Sequence, residues 1–400
     1  MDRQSGRVAR ATLIGALVCG GFGIGVSEFI VMGLLPQMAA DFLPDLYASR
    51  PEAALAASGG LASAYALGVV VGMVVTPVVI RRLPERSALL VCAGSMLLWT
   101  LLMAFAPTLP IALILRFLAA LTHAAYIGVG AMVAAHMLGS NNYGLGSAIV
   151  HGGLTGANLL GVPALTALGA TWDWRVILGL AALLFAVPFV ALLLISPAGR
   201  AEYVAAGGSG GRRFGPRFFV LGLAAVFVAA SGFAVVTYVA PLVEWAQGAG
   251  GWLTAATGML AFGIGMNIGN WGAGWLADRA AGATFVGSAA AGILGGVLLL
   301  IPNIGSPGTA AAMLLVGLML GGGSPAAQVL FMRELPRFPR LASSMPSGTA
   351  NLGSFVGSLV GAGLLAGVGP MALPLGSLAL VGIGLLGFAS LRLLRARSVS

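Results

Sequence analysis

The stretch SPAGRAEYVAAGGSGGRRFG, residues 196–215, is the only long Gly/Ser-rich run in the chain. A run of that composition reads as a flexible connector. On each side of it stand six apolar runs of roughly 20 residues, the length a helix needs to cross the hydrocarbon core of a bilayer. They lie near 11–35, 54–80, 87–106, 110–137, 144–169 and 174–195, and then near 217–241, 252–276, 283–301, 309–331, 342–367 and 371–392. The chain therefore divides into a six-helix bundle over 1–196, a linker over 197–216 and a second six-helix bundle over 217–400.

Composition selects the solvent. Charged residues are 8% of the chain, against about 25% in a typical soluble protein. Hydrophobic residues are 59%, and the mean hydropathy is +1.01. Lipid must solvate most of that surface, so the expected fold is an all-α integral membrane protein of twelve transmembrane helices. The first run follows a short basic segment, as a signal peptide would. It continues apolar to Pro36, long enough to span, and reads as an uncleaved first helix. Cys19 and Cys92 both lie within apolar runs and read as small packing residues, with no disulfide.

The net charge of +9 comes from arginine alone, since the chain contains no lysine. The arginines sit in short clusters between apolar runs, which argues for membrane orientation rather than a nucleic-acid surface. With the N-terminus inside, 17 of the 20 fall in cytoplasmic segments, leaving Arg50 and Arg175 outside and Arg116 within a span. Both termini are expected in the cytoplasm.

The two halves repeat each other. GANLLG at 156–161 matches TANLGS at 349–354, aligning Asn158 with Asn351. The end of the second span, Gly72 to Arg82, matches the end of the eighth, Gly269 to Arg279, and Pro36 and Pro241 close the first and seventh. Three matches in the same order point to a duplicated bundle. The stretches SEFIVMGLLPQMAADF, RFLAALTHAAYIGVGA, GLTGANLLGVP, GWLADR and ASSMPSGTANLG, with YALGVVVG and RRLPER, cover most of the chain. As an ordered set they resemble the major facilitator superfamily, in its drug/proton antiporter branch of arabinose-efflux-like and chloramphenicol-export-like permeases. The resemblance implies two pseudo-symmetric bundles around a central cavity opened alternately to each side, spans 1, 4, 7 and 10 lining it, and a working monomer. Where the family's loop motif after span 2 carries aspartate and glycine, this chain has Arg81 and Pro84; the intact version is GWLADR at 274–279. The span 5 antiporter motif is reduced to Gly156, Gly161 and Pro163.

Ionisable groups inside spans are costly, on the order of 3 kcal/mol each at the helix centre, and mark function by default. Here they are Glu28, Arg116, His123 and His151. At ~1.5 Å rise per residue, Glu28 lies roughly 12 Å and Arg116 about 9 Å below the outer face. If spans 1 and 4 are neighbours, as the family fold provides, these two meet and relieve each other's desolvation. One reading is a fixed ion pair that fastens two helices. The other makes Glu28 the proton carrier, ionised when facing the cytoplasm and substrate and protonated when facing acid outside, with Arg116 tuning it electrostatically. His123 and His151 are expected to face each other across the hairpin of spans 4 and 5, as helix fasteners or as a second proton or substrate site. Together with His136 they show no metal-ligand spacing.

Uncharged amides within spans are Asn158, Asn267, Asn270, Gln328 and Asn351, each interhelical glue worth about 1 kcal/mol or a substrate contact. Tyr65, Tyr126, Phe233 and Tyr238 are candidates to line the cavity, with lipid-facing or core packing the equal alternative for each, and Phe233 stands at the repeat position of Glu28. Arg81, Arg82, Arg86, Asp278 and Arg279 are candidates for a cytoplasmic gate. Glycine clusters such as GGFGIG lack a preceding strand and a GK[ST] sequence, so they read as close helix packing rather than nucleotide loops. No enzymatic grouping of carboxylates, Ser/His/Asp or metal ligands lies at one depth. The expected function is proton-coupled efflux of a small neutral or weakly basic organic molecule, of the drug, sugar or nucleoside class. An uptake symporter or facilitator on the same scaffold is the alternative. No cofactor beyond the proton and no nucleic-acid partner is expected. The expected location is a bacterial inner membrane.

Overall fold

The computed structural model describes residues 3–80, 82–138, 143–195, 215–301, 303–335 and 339–396. Almost all of the predicted linker, and Arg81, lie outside them. Every regular element among the described residues is helical. They are α1 (Arg3–Phe42), α2 (Pro44–Ser49), α3 (Pro51–Ser58), α4 (Gly60–Ile80), α5 (Glu85–Met103), α6 (Leu109–Ala120), α7 (His123–Leu138), α8 (Tyr143–Gly156), a π-turn (Ala157–Gly161), α9 (Val162–Gly169) and α10 (Trp174–Leu194). After these come α11 (Pro216–Val236), α12 (Val239–Gln247), α13 (Ala255–Leu299), α14 (Gly305–Glu334), α15 (Pro339–Gly367) and α16 (Ala372–Ala396). Helix is the conformation that satisfies backbone polar groups within one segment, as a lipid solvent demands.

Ten segments among the described residues are long and apolar enough to cross a membrane. The fifth and eighth predicted intervals are helical too but fall outside those ten: the π-turn interrupts the fifth, and the eighth carries Asn267 and Asn270. The eighth and ninth run together as α13, bent at Ala280 (φ −147°, ψ 60°). Other predicted spans are built from two pieces, the fourth restarting at His123 after a break at Leu121–Thr122. Local sequence sets the starts: proline occupies the first turn of α2, α3, α6 and α11, where its missing N–H costs nothing. Thr254 and Thr257 form a capping box at α13.

The chain forms two compact units, Met1–Val31 with Ala64–Gly207, and Met32–Ser63 with Gly208–Ser400. In the first, α5 packs on α6, α7 and α10, and α7 on α8, around a core that includes Leu17, Ile24, Met96 and Phe185. In the second, α13 packs on α14, α11 on α15 and α16, and α3 on α15. Apolar side chains such as Val78, Val79 and Leu194 are 60%, 70% and 80% exposed, which only a lipid solvent makes favourable.

The duplication is visible in the packing. In the first unit, Gly68 and Gly72 of α4 lie directly on the carbonyl oxygens of Phe117 and Leu121. In the second, Gly265 and Gly269 of α13 lie on those of Leu314 and Leu318. All four glycines and all four carbonyls are displaced by the same number of residues, so the two crossings are one geometry used twice. A Cβ at any of these glycines would collide with backbone, so the helices approach this closely only through glycine.

Helix ends carry the arginines. Arg86 donates to the carbonyls of Leu192 (2.7 Å) and Leu193 (2.8 Å) at the end of α10, satisfying groups that a helix terminus leaves open. Its guanidinium is engaged within its own unit. Arg217 pairs with Glu334 at 2.6 Å and reaches the Leu391 carbonyl at 3.4 Å.

Candidate functional site

Four elements of the first unit bring charged and titratable side chains together. α1 supplies Ser27 and Glu28, α4 supplies Tyr65, and α6 and α7 supply Arg116 and His123 on either side of their break. The break is held open by its neighbours. Thr76 Oγ1 donates to the Leu121 carbonyl at 2.6 Å, and Thr122 Oγ1 donates to the Cys92 carbonyl at 3.3 Å. His123 thereby starts a new helix instead of continuing the old one.

Arg116 is 1% exposed. It donates to Ser27 Oγ at 3.1 Å and to the backbone carbonyl of Glu28 at 3.0 Å, and its guanidinium lies 4.2 Å from the centre of the Tyr65 ring. A cation over an aromatic face away from water is held by about 2 kcal/mol. The arginine Nε has no hydrogen-bond partner. Glu28 is half-buried. The expected ion pair is corrected: Arg116 bonds the backbone of Glu28, and neither a hydrogen bond nor an ion pair joins its guanidinium to that carboxylate. The reason is geometric, since stacking on Tyr65 turns the guanidinium toward Ser27 and the main chain. The carboxylate is thus close to a cation without being locked to it.

The Tyr65 hydroxyl meets His123 Nδ1 at 3.2 Å, with ring centres 5.9 Å apart; both residues are buried. His151 on α8 is exposed and lies within electrostatic reach of His123. The side chains run as a series: Glu28 and Ser27, Arg116, Tyr65, His123, His151. In the packing register of the repeat, Tyr65 corresponds to Phe262, Arg116 to Met313 and His123 to Leu320. Phe262 and Met313 are both fully buried. The second unit therefore carries apolar residues at the register positions of Tyr65, Arg116 and His123.

The remaining predicted residues are dispersed. Tyr126 is fully buried in the first unit, its hydroxyl on the Leu17 carbonyl at 3.4 Å and its ring tip against Gly20. Tyr238 is fully buried in the second, donating to the Ser358 carbonyl at 2.9 Å. Both stand in packed interior, where each hydroxyl finds its acceptor on a neighbouring helix. Phe233 is buried as well. Asn158 and Asn351 are buried and donate to their own helices, at Leu154 and Ser347, and Asn267 donates to the Gly263 carbonyl. Asn270 is half-buried on α13. Gln328 lines a cleft of about 420 Å³ between α13 and α14 with Val329, Met332 and Arg333. Of the gate candidates, Arg82 is exposed, Arg279 stacks on Trp275 at 4.0 Å, and Asp278 lies within α13. Ser27 was not singled out by sequence; its place beside Glu28 was the available signal.

Paired sets of apolar helices, with a buried cation and a half-buried acid in one of them, define a polytopic membrane protein of the carrier type. The profile of the Major Facilitator Superfamily matches residues 17–362, and the chain belongs to that superfamily. It is similar to the inner membrane transport protein YdhP of Escherichia coli K12, at 32% identity over 93% of each chain. It is also similar to the chloramphenicol resistance protein of Streptomyces lividans, at 29% identity over 88% of this chain and 87% of that one. Among solved structures, the nucleoside transporter NupG shares the fold with a TM-score of 0.73 at 13% identity, over 96% of this chain and 98% of that one. The chain is a membrane transporter of small solutes.

Proposed function

We propose that this transporter exports a small neutral or weakly basic organic molecule in exchange for protons. Glu28 binds and releases the proton, and Arg116 sets the field in which it does so. One observation carries the reading: Arg116 is buried on the backbone of Glu28 while the carboxylate itself is left unlocked. Burial favours the neutral form of a carboxyl and a nearby cation the ionised form, so small movements of water or of Arg116 exchange the proton. A fixed salt bridge would resist that exchange. Similarity to a chloramphenicol resistance protein supports the outward direction. The positive-inside bias of the arginines supports placing both termini in the cytoplasm. Similarity to an inner membrane transport protein supports a bacterial inner membrane, and resemblance to the superfamily implies a working monomer.

The test uses everted membrane vesicles with an imposed pH gradient, screened with chloramphenicol, arabinose and uridine. Gradient-driven accumulation in the wild type and its loss in Glu28→Gln are the expected results. Movement that ignores the gradient equally in both chains overturns proton coupling and leaves a facilitator; gradient-driven movement in the opposite sense makes the protein an uptake symporter.

A further inference from the structure

Beyond Tyr65 the first unit carries a pair of neighbouring histidines, His123 and His151. We propose that Tyr65, His123 and His151 form the route by which the proton released from Glu28 leaves the membrane interior. The inference rests on the proton-coupled reading of Glu28 and deepens it, since it assigns His123 to the proton rather than to a solute.

The geometry is that of a relay. Arg116 spans from the Glu28 backbone to the face of Tyr65. The Tyr65 hydroxyl is in hydrogen-bond contact with Nδ1 of His123 at 3.2 Å, and Ser27 lies within hydrogen-bond reach of the same side chain. His123 is 4% exposed, whereas its neighbour His151 is exposed. Buried and accessible titratable groups thus follow one another from Glu28 outward. The charged or titratable groups around His123 are Tyr65 on α4, His151 on α8, Arg116 on α6 and, beyond Tyr65, Glu28 on α1; α5 presents Cys92, whose carbonyl takes the Thr122 hydroxyl.

The transfer balances. Protonated Glu28 gives its proton, directly or through one water, to the Tyr65 oxygen as the Tyr65 hydroxyl proton passes to His123 Nδ1. His123 then gives its Nε2 proton toward His151. Tyr65 and His123 are each left neutral, Glu28 is left ionised, and His151 carries the charge until it meets water. His123 is left with its proton on Nδ1, and exchange with an entering water, Nδ1 giving a proton up and Nε2 taking one, restores the starting tautomer. The second unit has no counterpart of the route, because Phe262 and Leu320 occupy the positions of Tyr65 and His123.

The test needs no transported solute. The chain contains three histidines, so protein labelled with ¹⁵N-histidine and reconstituted in liposomes gives a readable set of ring signals. The signal lost in His123→Leu belongs to His123, and His123→Gln gives a second assignment should the leucine variant fold poorly. Infrared spectra of the same samples, wild type minus Glu28→Gln, isolate the Glu28 carboxyl band. The expected result is a His123 Nδ1 signal showing an accepted hydrogen bond. It should titrate with a midpoint displaced by about one pH unit in Glu28→Gln, as expected for removing a nearby charge, and lose that response in Tyr65→Phe. A His123 signal identical in wild type, Glu28→Gln and Tyr65→Phe at every pH, with the Glu28 band still titrating, overturns the relay alone. A Glu28 band that never titrates between pH 5 and 9 overturns the coupling reading, and the relay with it.

Discussion

Arg116 is a buried cation that bonds a hydroxyl, a carbonyl and a ring face but no carboxylate. Such an arrangement is expensive to maintain, and replacing buried charge by an apolar side chain of similar volume is often neutral or stabilising by about 1–4 kcal/mol. The second unit holds Met313 at the same register, fully buried. We therefore expect Arg116→Met to fold with an unchanged or raised melting temperature while gradient-driven transport falls to the level of Glu28→Gln. A melting temperature lowered by ten degrees or more, with coupling intact, would show that Arg116 serves the fold. Tyr65→Phe, the change to the Phe262 counterpart, should likewise preserve stability, because the ring beneath Arg116 is kept and only the hydroxyl is lost. Tyr126 and Tyr238, candidates to line a cavity or to pack in the core, are fully buried. Each is closed in by helix backbone, a fact carried by Gly20 beside one and Gly59 beside the other.

Crossings between helices depend on glycine where backbones touch. Gly72→Val and Gly269→Val should each force α4 from α6 and α13 from α14, respectively. Overpacking of this kind costs about 1–3 kcal/mol, and thermal unfolding in detergent, compared with a valine at the open position Gly272, measures it. At the seam of α3 and α4 with α15, Ser63 Oγ and Ser358 Oγ are 2.6 Å apart, and Gly59 lies against the Tyr238 ring. Side chains that close accommodate a disulfide. The double variant Ser63→Cys, Ser358→Cys should crosslink under mild oxidant, read as a mobility shift after cleavage between residues 196 and 215. If this seam opens during transport, the crosslinked protein is inactive and reductant restores it; transport undiminished by complete crosslinking rules that motion out.

Across the whole molecule, the contact boundary between units falls inside unbroken helices, between Val31 and Met32 of α1 and between Ser63 and Ala64 of α4. Orientation is a whole-molecule property as well. Single cysteines placed at Arg3 and at Ser400 should be labelled by an impermeant maleimide only in everted vesicles, and one at Arg50 only in intact cells; the reverse pattern inverts the topology.

Sequence by itself determined the lipid solvent, the positions of the apolar segments, the duplication and the identity of the few ionisable groups within it. Each of these is written in composition, run length or self-similarity, which survive without coordinates. Only the tertiary structure decided that Arg116 takes the Glu28 backbone and the Tyr65 ring, that Arg86 closes the end of α10, and that Tyr126 and Tyr238 are packed away. The physical reason is that a helix apolar on all sides presents the same chemistry to lipid and to protein. Its sequence says that it spans, but its rotation, and therefore what each rare polar group touches, comes from where glycine lets another backbone approach.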